Sequence, residues 1–194
     1  MVRNVQFLKA AWVRPRVVVL IPVILVAIGA SLRAERPASM PEPSRASSPG
    51  SWPRLHLPDP VGAHVARNAL GLAWERLARI ECADLLNSFS DQAGHPLAER
   101  LQELAVDRQT YLTMLVFIDG SRETPCVKGS FAFTAPGSRV VRICVEELKR
   151  TWQASPEHAV SRIIHEMLHT LGLGEDPPSS AEITRRVDAS CGPR

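Results

Sequence analysis

The chain has few means of holding nucleic acid. Aromatic residues make up 5% of its 194 positions, and no basic stripe interleaved with aromatics occurs after the first sixty residues. No C-x-x-C pair is present, which argues against a cysteine-based zinc site, and no internal repeat suggests a solenoid. Long apolar runs are also missing. The one that stands out, Val17 to Ala30, has 14 residues, short of a full membrane span.

That short run is informative because Arg3, Lys9, Arg14 and Arg16 precede it, the order of an export signal. Small residues at Ala27, Gly29 and Ala30 offer weak processing sites, while Ser31 and Leu32 extend the run towards a tilted anchor with its N-terminus in the cytoplasm. Residues 1–32 are therefore expected to be a signal peptide or an N-terminal membrane anchor, and the protein to be periplasmic or extracellular. From 33 to 60 come Pro37, Pro41, Pro43, Pro49, Pro53, Pro58 and Pro60 with scattered serine, a composition suited to a spacer. Residues 1–60 carry eight basic and three acidic side chains, and residues 61–194 carry fifteen and seventeen. The basic excess thus belongs to the leader, and 61–194 is long enough for one core.

Cys82, Cys126, Cys144 and Cys191 all follow the leader, and an even count in an exported chain implies two disulfides. Three pairings are formally possible. Cys126 and Cys144 flank a predicted hairpin, and pairing them leaves Cys82 to tie the first helix to the C-terminal tail through Cys191.

Val61 to Asn87 has a helical apolar rhythm and is predicted as a long scaffold helix, with a shorter helix over Leu97 to Val106. Tyr111 to Ile118, Ser130 to Thr134 and Arg139 to Val145 read as three short strands, largely antiparallel, followed by a helix from about Glu146 to Gln153. Ser155-Pro156-Glu157 then supplies an N-cap, a proline at N1 and an acidic first turn, with Gly172 and Gly174 as the stop. On this helix, about Pro156 to Leu171, Val160, Ile163, Ile164, Met167 and Leu171 form one stripe. His165 and His169 lie nearly opposite, facing a cleft.

His165-Glu166-Met167-Leu168-His169 carries the chemistry. Two imidazoles four residues apart stand one turn apart on one helix face and can grip the same cation, with Glu166 beside the open position. Catalytic Zn2+ takes three protein ligands and a water, so a third ligand is needed. Glu175, three residues after Gly172, is one candidate, and the preference for it comes from the metzincin-like extended motif that His165 to Glu175 resembles. Glu182 is the runner-up, because Pro177-Pro178 break the chain and Ser179 can begin a returning helix; Ser179-x-x-Glu182 also reads as a capping box that needs no metal. Asp176 reads as a loop residue. His158 is ~10 Å along the helix from His165, too far to share an ion, and His56, His64 and His95 lack ligand spacing.

The run from His165 to Glu175 resembles the extended motif of metzincins, and the Ser155 to Val187 stretch resembles zincin metallopeptidases, small and bacterial-type. Glu stands where metzincins carry His or Asp, and no methionine follows Met167, so no Met-turn can form. The resemblance is therefore to zincins at large. It implies an α+β fold: a reduced zincin-like domain with a long scaffold helix, a small, mostly antiparallel sheet, the metal-binding helix and a C-terminal helix. It also implies a peptide or protein substrate, lying along a sheet edge, and a monomeric enzyme. His165, His169 and Glu175 would hold Zn2+, and Glu166 would take a proton from the attacking water and pass it to the leaving amine. Tyr111 and Arg142 are conceivable oxyanion stabilisers, with sheet packing and surface charge as the plainer roles. Two other functions use the same residues: a non-enzymatic envelope module with a structural or vestigial metal, and a zinc amidase acting on a non-protein amide.

Overall fold

The computed structural model describes residues 52–193, so the expected leader and most of the spacer lie outside the described residues. Within them, eight helices surround a four-stranded sheet, an α+β arrangement. Strand β1 (Arg54–His56) leads into α1 (Pro60–Leu77), whose Asp59 cap accepts from the Val61 and Gly62 N–H groups. Then follow α2 (Ile80–Asn87), α3 (Leu97–Glu103), α4 (Arg108–Thr113), β2 (Val116–Asp119), α5 (Thr124–Val127), β3 (Ala132–Phe133) and β4 (Val140–Ile143). Three more helices close the chain: α6 (Val145–Ala154), α7 (Pro156–Thr170) and α8 (Ser180–Cys191).

Four features depart from the sequence reading. The scaffold helix expected over Val61 to Asn87 is two helices, broken at Ala78 and Arg79. There Arg79 adopts extended backbone and its guanidinium donates to the Cys191 and Gly192 carbonyls at the end of α8. The expected strand over Tyr111 to Ile118 begins only at Val116, because Asp107 caps α4 by accepting from the Thr110 N–H at 2.6 Å. The sheet is not mostly antiparallel: in the order β1-β2-β4-β3, β1 and β4 both run parallel to β2, and only β3 is antiparallel to its neighbour. Finally, β1 falls within the stretch assigned to the spacer. Prolines are tolerated beside it because β1 is an edge strand, and Leu55 still packs against the core.

Helix α7 runs through the middle of the domain, against α1, α6, α8, β3 and β4. Its predicted stripe is buried, Val160, Ile163, Ile164 and Met167 being 1% exposed or less. Each such aliphatic side chain contributes about 1.5–3 kcal/mol when removed from water. Ser155 caps the helix by accepting from the His158 N–H, and buried Arg76 of α1 forms an ion pair with Glu157 in its first turn. Both expected disulfides are present: Cys126–Cys144 joins α5 to the start of α6, and Cys82–Cys191 ties α2 to the end of α8. Among the described residues no helix is long and apolar enough to cross a membrane.

Candidate metal centre

The face of α7 opposite its apolar stripe is covered as well, by α8 and by the loop that follows α7. His165 and His169 are therefore buried, at 1% and 5% exposure, and do not stand in open solvent. Gly172 creates the covering loop. Its φ of +111° is open to glycine and strained for other residues, and a Cβ there would lie 3.0 Å from Asp91 Cβ. The turn reverses the chain and brings Glu175 back over the histidines.

Three ligand atoms meet there. His165 Nε2 and His169 Nε2 are 2.9 Å apart, and Glu175 Oε1 is 3.4 Å from the first and 3.2 Å from the second. A tetrahedral ion with ligands at ~2.0 Å requires ligand-to-ligand distances of about 3.3 Å. The triangle therefore already has the size of a three-residue metal site.

The outer ring nitrogens orient these donors. His169 Nδ1 donates to the Leu173 carbonyl at 2.8 Å, which leaves the Nε2 lone pair facing the centre. His165 Nδ1 lies 2.9 Å from Thr184 Oγ1; with Nδ1–H donating to that hydroxyl, its Nε2 lone pair also points inward. Two lone pairs and a carboxylate oxygen at this range repel unless a cation lies among them. Burial holds the His165 pKa down to about 3, and the nearness of His169 and Arg162 acts in the same direction, so this ring is neutral, as a ligand must be. Burial opposes ionisation of Glu175, but the neighbouring His169 and the hydrogen bond with Ser180 act against it, and that carboxyl lies below its ordinary value. The donor set and its spacing fit a metal ion, and two imidazoles with one carboxylate suit zinc.

Glu166 sits beside this group, 3% exposed. Its Oε2 is buried without a hydrogen-bond partner among the described residues. Burial pushes its pKa up to about 7 even though Arg162 draws it down. Glu166, His169 and Glu175 share a cleft of about 380 Å3 with Arg162, Ser180, the β3 residues Ala132 and Phe133, and Thr134 just after them.

The remaining sequence candidates lie elsewhere. Glu182 is not at the centre; its backbone N–H donates to Ser179 Oγ, as a cap requires, and its carboxylate pairs with Arg185. Asp176 and His158 are exposed. Tyr111 is buried with its hydroxyl donating to the Thr170 carbonyl, and Arg142 pairs with Glu123 at 2.9 Å, so both take the plainer roles. Sequence reasoning missed Thr184 and Arg162. Arg162 was accessible to it, standing three residues before His165 and four before Glu166 on the same helix face. Thr184 had no signal beyond its place in the second turn of a capped helix.

Comparison with family models, curated proteins and solved structures finds no match for this chain. The reading of the centre therefore rests on its own geometry and chemistry.

Proposed function

We propose that the chain is an exported zinc-dependent hydrolase of the zincin type, cutting peptide bonds. The observation that carries this reading is the meeting of His165, His169 and Glu175 donors within 3.4 Å, beside a buried carboxyl with a free oxygen. Zinc held by these three residues would supply Lewis acidity and lower the pKa of water towards ~7. The protein's own parts do the rest. Glu166, with its Oε2 uncommitted, accepts a proton on the reactant side and returns it to the leaving amine. Thr184 and the Leu173 carbonyl hold the imidazoles in the ligating tautomer.

Two further features support a peptide substrate and an exported protein. Antiparallel β3 is an edge of the sheet and lines the cleft, so an extended chain can add backbone hydrogen bonds there without strict sequence demands. Two disulfides suit an oxidising compartment, in keeping with the basic and apolar leader.

The test is hydrolysis by the zinc-loaded full chain, assayed on a peptide pool and on cell-wall-type amides, with Glu166→Gln alongside. The expected result is peptide cleavage that falls at least 100-fold in Glu166→Gln while zinc stays bound at one per chain. Full activity of that variant, or cleavage of non-protein amides alone, overturns the peptidase reading. Absence of any turnover, with zinc removal unfolding the domain, assigns the metal a structural role instead.

A further inference from the structure

Arg162 carries information that the hydrolytic centre does not use. It lines the cleft together with Glu166, His169 and Glu175, one turn before the first histidine on α7. Its Nε is buried and has no partner among the described residues. One terminal nitrogen donates to Thr184 Oγ1 at a long 3.4 Å, and the guanidinium carbon stands 6.0 Å from the centre of the Phe131 ring. No ion pair reaches it among the described residues, whereas Arg76 and Arg142 are both paired with carboxylates. A structural role would have Glu166, four residues on, as its ion-pair partner. Glu166 makes no such pair and keeps an oxygen free.

A half-buried guanidinium that feels Glu166 only at a distance, with no carboxylate in ion-pair contact, is costly, and its planar fork matches a carboxylate in two parallel hydrogen bonds. The other walls of this cleft bring only neutral polar groups such as Gln92, Ser130 and Thr134. We infer that the cleft takes substrates bearing a carboxylate close to the scissile bond, and that Arg162 is the residue that selects them. This rests on the hydrolase reading above and narrows its substrate class to acidic peptides. The carboxylate has two sources: an Asp or Glu side chain near the cut, or the free C-terminus of the peptide.

The experiment uses the zinc-loaded full chain and a nested set of quenched peptides that differ by Glu or Gln at single positions. Each is made with a free C-terminal carboxylate and as the C-terminal amide. Wild type is expected to prefer one acidic form over its neutral isostere by tenfold or more in kcat/KM, mainly through KM. The position of that preference tells a side chain from a chain end. Arg162→Gln should bring the acid-to-neutral ratio to about one, and Arg162→Lys should restore part of it; zinc content and melting of both variants show that they fold. Calorimetric binding of the same peptides to zinc-loaded Glu166→Gln reads the preference without turnover. Equal handling of acidic and neutral peptides in both assays overturns the inference while leaving the hydrolase standing. Arg162→Gln lowering both classes alike, with the ratio unmoved, overturns it too. Tight, Arg162-dependent binding of acidic peptides with no cleavage by wild type retains the carboxylate site and refutes the hydrolase.

Discussion

Thr184→Val is the sharpest perturbation of the support around the centre. Thr184 Oγ1, 2.9 Å from His165 Nδ1, is the partner that fixes the orientation of that ring from outside. Valine keeps the shape of the side chain, and the residue is 9% exposed, so water does not readily replace the lost hydroxyl. Leaving a buried N–H unsatisfied costs about 1–3 kcal/mol. In the metal-free protein the ring can change tautomer to escape much of that penalty; with a metal on Nε2 it cannot. Most of the cost therefore falls on the metal-bound state, and the zinc Kd should rise about 10- to 100-fold. Competition against a chromophoric chelator at neutral pH measures it directly, with Thr184→Ser expected to recover most of the affinity. A Kd for Thr184→Val within twofold of wild type, or a serine variant as weak as the valine one, would refute the role given to this hydroxyl.

Two further expectations concern stability. Glu166 has an ordinary value of 4.5 and is raised to about 7 in the fold, so the folded state holds its proton more tightly. The stability this contributes is complete below pH ~4.5 and is lost as pH rises through 7, about 3 kcal/mol in all. His165, lowered to about 3, works in the opposite sense, losing stability as pH falls below 6.5. The difference between wild type and Glu166→Gln isolates the glutamate: urea unfolding in chelator should show the variant gaining on wild type from pH 4.5 to 7.5, and a constant difference contradicts the assignment. Among the disulfides, Cys82–Cys191 spans 109 residues and Cys126–Cys144 spans 18. Chain entropy assigns them about 5 and 3 kcal/mol, so the Cys82→Ala, Cys191→Ala pair should lower the urea midpoint more than the Cys126→Ala, Cys144→Ala pair. The reverse order would mean that native packing, not the unfolded chain, sets their contribution.

The parts of the molecule that read well from sequence were those whose signals are local. Ser155, Pro156 and Gly172 mark both ends of α7, and the 3.6-residue period assigns its faces, so the helix that carries His165, Glu166 and His169 was legible with its bounds. Glu175, singled out by resemblance to an extended motif, does come together with the two histidines, and the capping box read at Ser179 is formed with the Glu182 N–H. Failures came where tertiary contacts decide. The break at Ala78 and Arg79 answers to carbonyls at the far end of the chain, which no local window contains. The direction of β2 depends on its neighbours β1 and β4, and β1 was hidden by prolines that an edge strand accommodates. Tyr111 misled by composition: an aliphatic and aromatic run suggested a strand, although Asp107 stood one residue before a short helix. Burial of the histidine face was also invisible, since the helical period tells which residues share a side but not what covers it.

The central claim is that His165, His169 and Glu175 form one zinc site with a position left open for water. Its most direct test is the anomalous scattering of zinc in crystals of the zinc-loaded protein, collected on both sides of the absorption edge. The account predicts a single peak at ~2.0–2.2 Å from His165 Nε2, His169 Nε2 and a Glu175 oxygen, with no fourth protein ligand. A peak completed by Glu182 in place of Glu175, or zinc bound away from the two imidazoles, would contradict it.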